Sequence, residues 1–113
     1  MRQIHSATIA NGASLSDAVD LGDGSLVGVV MPASWTAAGL HLVGSVDGTN
    51  YYPLFDTAGN EIGVNTAVAA YMYAFDPGLA QPPRYIKIRS GTAGTPVAQG
   101  AERILKVIAR RFN

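Results

Sequence analysis

Residues that favour tight turns interrupt this sequence about every ten positions, and the stretches between them are short. The chain has 113 residues, of which 13 are glycine and six are proline. Glycine and proline at this spacing are typical of short strands joined by many turns, and they do not favour long helices. The main turn sites are Asn11-Gly12, Gly22-Asp23-Gly24, Asp47-Gly48, Ala58-Gly59-Asn60 and Asp76-Pro77-Gly78. The pattern therefore predicts an all-β protein.

Eight segments between the turns have the composition of β-strands. Residues 84–89 alternate, with Ile86 and Ile88 on one face and polar residues on the other, as in a half-buried strand. Asp47-Gly48 is a strong hairpin signal between two of the segments. The predicted strands are 2–10, 18–21, 26–31, 40–46, 51–56, 69–75, 84–89 and 104–109. This spacing predicts an antiparallel β-sandwich of seven or eight strands, formed by residues 1–113 as one domain.

Residues 102–112 fit two kinds of secondary structure. Their apolar side chains could line one face of a helix, with the basic residues opposite. However, Ile104, Val107 and Ile108 are β-branched, which disfavours a short helix. We expect a strand over 104–109, with a helix as the alternative.

The charges are balanced in number but not in position. The chain has eight Lys and Arg residues and eight Asp and Glu residues, so no net charge favours nucleic acid or an anionic membrane as a partner. Residues 1–83 hold seven acidic residues and one basic residue, whereas residues 84–113 hold seven basic and one acidic. Two interpretations remain open. Oppositely charged strands of one chain lie side by side, or copies associate head to tail through complementary surfaces.

The residues of known catalytic and metal sites are mostly absent. There is no cysteine, which excludes disulfides, thiol nucleophiles and thiolate zinc sites. The histidines His5 and His41 are too few for a metal site, and the sequence has neither a Gly-x-Ser-x-Gly elbow nor a phosphate loop with its lysine. We expect no enzyme activity, no catalytic residue, no metal and no cofactor. No apolar run reaches the ~20 residues of a membrane span, so we also expect a soluble chain without a processed leader.

Two resemblances to known families follow from longer motifs. Residues 45–54 (SVDGTNYYPL) and 84–88 (RYIKI) resemble the hairpin and strand of discoidin-type, galactose-binding-like β-sandwiches. A closer match spans most of the chain and includes residues 7–21 (ATIANGASLSDAVDL), 26–62 and 84–108. It resembles small β-sandwich virion proteins of tailed bacteriophages. The resemblances imply a jelly-roll or galactose-binding-like sandwich.

The phage resemblance also implies a function and a location. It implies a structural protein of the virion that decorates or cements the head, located on the capsid surface rather than the tail. The implied partners are the major capsid protein and other copies of the chain, with a homotrimer expected by analogy. We predict that the basic end docks on an acidic patch of the capsid or of an adjacent copy. The predicted interface residues are Arg103, Lys106, Arg110 and Arg111.

A carbohydrate-binding module or a tail or fibre component that contacts the host surface is the alternative. Its candidate glycan contacts are Trp35, Tyr51 and Tyr52, because aromatic rings stack on sugars. In a small sandwich, the same side chains more often pack in the core or between strands.

Overall fold

The computed structural model describes residues 2–76 and 82–111, which form two antiparallel β-sheets. The strands are β1 (Arg2–Ile9), β2 (Val19–Asp20), β3 (Ser25–Val30), β4 (Leu40–Ser45), β5 (Tyr52–Pro53), β6 (Gly63–Val64), β7 (Met72–Ala74), β8 (Tyr85–Ser90) and β9 (Arg103–Arg110). Across these two ranges there is no helix, and hence none of a length and hydropathy that would cross a membrane. The prediction of an all-β sandwich is confirmed.

The two sheets differ in their number of strands and in strand order. In the four-stranded sheet the order is β1-β9-β3-β7, and in the five-stranded sheet it is β2-β8-β4, with β5 and β6 both on the far side of β4. The first and last strands pair along their whole length, from Arg2 opposite Arg110 to Ile9 opposite Arg103. Because β9 also pairs with β3, both edges of β9 are hydrogen-bonded to neighbouring strands, and β9 lies in the interior of its sheet.

The hydrophobic core lies between the two sheets. Leu105 and Val107 of β9 and Ile86 and Ile88 of β8 are fully buried there. Since successive strand residues point to opposite faces, burial of the odd-numbered residues of β9 turns its even-numbered residues toward solvent. The other members of the core come from both sheets and include Ile9, Leu26, Val29, Leu40 and Leu42.

Most predicted strands are present, and the segment with two possible structures is the strand β9 rather than a helix. The predicted strand at 51–56 was too long. Tyr52–Pro53 forms β5 and Phe55 makes an isolated antiparallel bridge to Glu61, but the Asp56 carboxylate accepts hydrogen bonds from the backbone of Ala58 and Asn60 and begins a turn.

The predicted strand at 69–75 was also too long. The backbone of Ala70 turns through a positive φ of 64°, so the strand begins only at Met72. The two-residue strand β6 was not predicted, which brings the total in the described ranges to nine rather than seven or eight.

Candidate functional site: an exposed sheet face

The solvent side of the four-stranded sheet carries side chains from all four of its strands. Residues directly opposite each other in neighbouring strands project to the same face, so the register defines rows of side chains. The rows are Ile4, Ile108, Gly28 and Ala74; then Ser6, Lys106, Val30 and Met72; then Thr8 and Ile104; and at one end Arg2, Arg110 and Ser25. We call this surface the outer face.

Large apolar side chains on the outer face remain accessible to water. Ile4 is 65% exposed, Met72 is 69% exposed and Ile104 is 47% exposed. Val30 and Ile108 between them are half-buried. Several exposed apolar side chains on one sheet face, beside polar groups, are typical of a protein-interaction site.

The charges of the outer face all have one sign. Arg2, Lys106 and Arg110 project from it, and its rows contain no acidic residue. Lys106 Nζ donates to Ser6 Oγ at 3.1 Å. The side-chain ion pairs found in the described ranges involve other residues, so these three cations have no carboxylate partner there. Arg2 and Arg110 lie opposite each other, an arrangement of like charges that a carboxylate from a partner would relieve.

The structure separates the four predicted interface residues. Lys106 and Arg110 lie on the outer face. Arg103 projects from the other side of β9 and is half-buried, where its guanidinium donates to Gln99 Oε1 at 3.0 Å and to Thr36 Oγ1 at 3.2 Å.

Arg111, the fourth predicted interface residue, follows β9 and lies 3.8 Å from the Asp23 carboxylate. The outer face therefore contains two of the four predicted residues. It also contains the exposed isoleucines, which had not been singled out as contact residues. The strand period could have found them, because Ile104, Lys106, Ile108 and Arg110 alternate with buried positions.

The three predicted glycan contacts occupy different environments. Trp35 packs against the core, and its Nε1 donates to the Ala38 carbonyl at 3.2 Å. Tyr51 is half-buried, with Lys87 Nζ 4.4 Å from the centre of its ring. Tyr52 is 65% exposed. Of the three rings, only that of Tyr52 presents most of its surface to solvent.

A polar cleft of about 770 Å³ lies beside β1 and β2. The Arg84 guanidinium is 3.1 Å from the Asp20 carboxylate. Donation from Arg84 and from the Gly22 backbone lowers the pKa of Asp20, and the same pairing raises the pKa of Arg84. The main lining residues are Gln3, His5, Asp20, Asp23, Arg84 and Arg111. The Arg84–Asp20 pair and the Arg111–Asp23 pair each join the acidic half of the chain to the basic half. Oppositely charged segments therefore lie side by side within one copy.

The two histidines lie apart and in different sheets. His41 of β4 is buried, with its Nδ1 2.7 Å from the Gly91 carbonyl oxygen, so it holds a loop in place. His5 of β1 has a buried Nε2 with no hydrogen-bond partner in the described ranges. Within the same ranges, no group of three or more His, Asp or Glu side chains has a metal-binding arrangement.

A second exposed apolar region lies on the five-stranded sheet, in residues 46–61, which we call the acidic hairpin. Val46 is 75% exposed and lines the same surface depression as Tyr52, which is 65% exposed. Phe55 is 47% exposed. Asp47 and Asp56 lie at its turns.

The two aspartates of the acidic hairpin are held in the charged form. The backbone N–H groups of Asn50 and Thr49 donate to Asp47 and lower its pKa, with further donation from the Asn50 and Ser45 side chains. Backbone donation from Asn60 is the main cause of the lowered pKa of Asp56. The segment 46–76 contains four acidic residues and no Lys or Arg.

Comparison with known proteins supports the fold but gives no family. No protein-family model and no curated protein sequence matches the chain. Among solved structures, the SPBc2 prophage-derived protein YomS is similar with a TM-score of 0.55 and 13% identity, over 96% of this chain and 94% of that one. The Yersinia pseudotuberculosis-derived mitogen is more distant, with a TM-score of 0.43 and 11% identity over 100% and 87% of the two chains. At these identities, the similarity to YomS shows a shared β-sandwich fold.

Proposed function

We propose that this chain is a structural protein of a tailed-bacteriophage virion that decorates or cements the head. The observation that carries the proposal is the outer face, an apolar and cationic surface of a small β-sandwich that no part of the described chain covers. Proteins that reinforce a capsid do so by binding to its surface. The outer face has apolar side chains that a partner can bury and positive charges that orient an acidic partner.

Two further observations favour a phage origin. The prophage-derived protein YomS has the same fold over almost the full length of both chains. The sequence motifs over residues 7–21, 26–62 and 84–108 resemble small virion proteins of tailed phages. Together they favour a virion location, and we propose the capsid surface rather than the tail.

The outer face gives the proposal a physical mechanism. Burial of Ile4, Met72 and Ile104 against a partner removes apolar surface from water, which provides the affinity. Lys106 and Arg110 steer an acidic partner surface into place and fix its orientation. The proposed partner surfaces are acidic patches of the major capsid protein and of neighbouring copies arranged as a homotrimer.

A carbohydrate-binding function receives less support from the same structure. Trp35 contributes to the core, and the ring of Tyr51 is covered on one side by Lys87. An isolated Tyr52 is a small stacking platform, so a glycan-binding role is not the function we propose.

Co-sedimentation with phage heads tests the proposal. Empty heads of the encoding phage, stripped of this protein, are incubated with the purified chain and pelleted, and the heads are then heated to measure their stability. We expect saturable binding and a higher disruption temperature for loaded heads. A chain that remains in the supernatant, or that binds without changing head stability, would contradict a decorating or cementing role.

A further inference from the structure

Within residues 2–76 and 82–111, most of the exposed large apolar side chains lie in two places, and these have opposite charge. On the four-stranded sheet, the outer face combines Ile4, Met72 and Ile104 with basic residues. On the five-stranded sheet, the acidic hairpin combines Val46, Tyr52 and Phe55 with Asp47 and Asp56. Both regions have exposed apolar side chains, and the charged residues beside them are opposite in sign.

The positions of the two regions prevent them from meeting within one copy. The outer face looks away from the core on one sheet, whereas the acidic hairpin extends from β4 and β5 of the other sheet. A contact between them must therefore join two copies. Such a contact uses different surfaces on its two sides, so it is heterologous. Copies joined in this way form a ring where the rotation between them closes and an open filament where it does not.

Both regions are held in shape by their own chain, which lowers the entropic cost of binding. The outer face consists of paired strands. In the acidic hairpin, Asp47 accepts hydrogen bonds of 2.8 Å from the backbone of Thr49 and of Asn50, while Ser45 Oγ accepts from Gly48 at 2.9 Å. The hairpin therefore presents its exposed rings and carboxylates from a fixed loop.

We propose that the acidic hairpin of one copy docks on the outer face of the next copy, so that the protein assembles head to tail. Val46 and Tyr52 cover the isoleucines and Met72, and the carboxylates of the hairpin face Lys106 and Arg110. This inference rests on the proposed virion function, because it names one partner of the outer face as a second copy of this chain.

Charge reversal on each side provides the test. The face-reversed variant carries Lys106→Glu and Arg110→Glu. The hairpin-reversed variant carries Thr49→Lys, Thr57→Lys, Ala58→Lys and Glu61→Gln, which change the net charge of residues 46–61 from −3 to +1. The loop keeps its conformation, because positions 49 and 58 donate to Asp47 and Asp56 through their backbone N–H groups, and the amide at position 61 keeps an oxygen that accepts from the Ala93 N–H.

A combined variant that contains all these substitutions is the decisive sample, because its hairpin is then positive and its outer face negative. The molar mass of the wild type and the three variants is measured by sedimentation equilibrium over a wide range of protein concentration, and thermal melting confirms that each one folds. We expect the wild type to associate. Each reversed variant alone should raise the dissociation constant at least ~10-fold, because like charges then face each other. In the combined variant the charges are again opposite, and association should return.

Two results would overturn the inference. One is a wild type that stays monomeric at every concentration. The other is a combined variant, folded as judged by melting, that associates no better than the face-reversed variant. The second result is the one expected of a symmetric dimer in which two outer faces pack together, since the hairpin substitutions would then have no effect.

Binding to heads is measured separately on the same samples. A monomeric wild type that still binds heads would contradict head-to-tail assembly and leave the proposed virion function standing. A wild type that associates as described but ignores heads would contradict the virion function instead. The two proposals therefore fail in different ways.

Discussion

Ile4 of β1 lies directly opposite Ile108 of β9 on the solvent side of the four-stranded sheet, and Ile4 remains 65% exposed. The same two strands already fill the core through Ala7 and Leu105 on their other side. An exposed Ile4 beside a half-buried Ile108, both pointing away from the core, contributes little to the core. It is instead consistent with a surface that another protein covers.

Replacing Ile104 by serine should separate stability from binding. Ile104 is about half exposed, so Ile104→Ser should change the free energy of unfolding by less than about 1 kcal/mol. It should nevertheless weaken binding to heads or to other copies. Its neighbour Leu105 is fully buried, and Leu105→Ala should cost about 2–5 kcal/mol. Urea unfolding gives both values, and equal losses of stability would contradict the assignment of the two faces.

The two arginines at the ends of β9 should have different roles. Arg103 donates to Gln99 and Thr36, so Arg103→Ala should lower the melting temperature and leave association unchanged. Arg110 projects from the outer face, so Arg110→Ala should weaken association with little change in melting. Calorimetry and sedimentation on the two variants test this pair, and the reverse pattern would move the interface to the other side of β9.

The acidic hairpin should lose stability in acid because of Asp47. Backbone donation from Asn50 and Thr49 lowers the pKa of Asp47 below its ordinary value of 3.8. A carboxylate with a lowered pKa in the folded state stabilises the protein above that ordinary value, and this contribution is lost as the pH falls below it.

The measurement compares the wild type with an Asp47→Ala variant in urea at several pH values. The variant should be less stable near neutral pH, and the difference should shrink below about pH 4. Asp23→Ala controls for the loss of one exposed carboxylate, since Asp23 makes only a 3.8 Å ion pair. A difference that stays constant down to strongly acidic pH would show that the carboxylate charge of Asp47 does not stabilise the loop.

Trp35 and Tyr52 should respond differently to truncation. Trp35 packs against the core, so Trp35→Ala should cost roughly 2 kcal/mol or more and lower the melting temperature by several degrees. Tyr52 is mostly exposed, so Tyr52→Ala should leave melting nearly unchanged. Circular dichroism measures both, and binding to a glycan array is assayed in parallel. A stable Trp35→Ala variant that loses glycan binding would restore the carbohydrate-binding alternative.

Local sequence patterns predicted much of the fold. The alternation around Ile86 and Ile88 identified β8 and its buried face. The β-branched residues Ile104, Val107 and Ile108 correctly favoured a strand over a helix. These features depend on the alternation of side chains along a strand and on the backbone preference of each residue type, and both can be read from residues that are close in the sequence.

Pairing over long separations was not accessible in the same way. The contact of β1 with β9 joins the two ends of the chain, and no local pattern specifies it. That pairing creates the outer face, because it places Ile4 beside Ile108 and Arg2 beside Arg110. Arg103 and Arg110 were predicted to belong to one interface because both are basic residues of the C-terminal segment. That grouping ignored the strand period, which puts their side chains on opposite sides of β9.

Head binding by an Ile104→Glu variant tests the central claim most directly. The substitution places a carboxylate at an exposed apolar position of the outer face and leaves the core unchanged, and Thr95→Glu, on an exposed loop outside that face, is the control. The fraction of protein that pellets with empty heads is measured for both variants and the wild type. The account predicts that the wild type and Thr95→Glu bind equally well, whereas Ile104→Glu stays in the supernatant although it folds. An Ile104→Glu variant that pellets as fully as the wild type would contradict the assignment of the outer face as the binding surface.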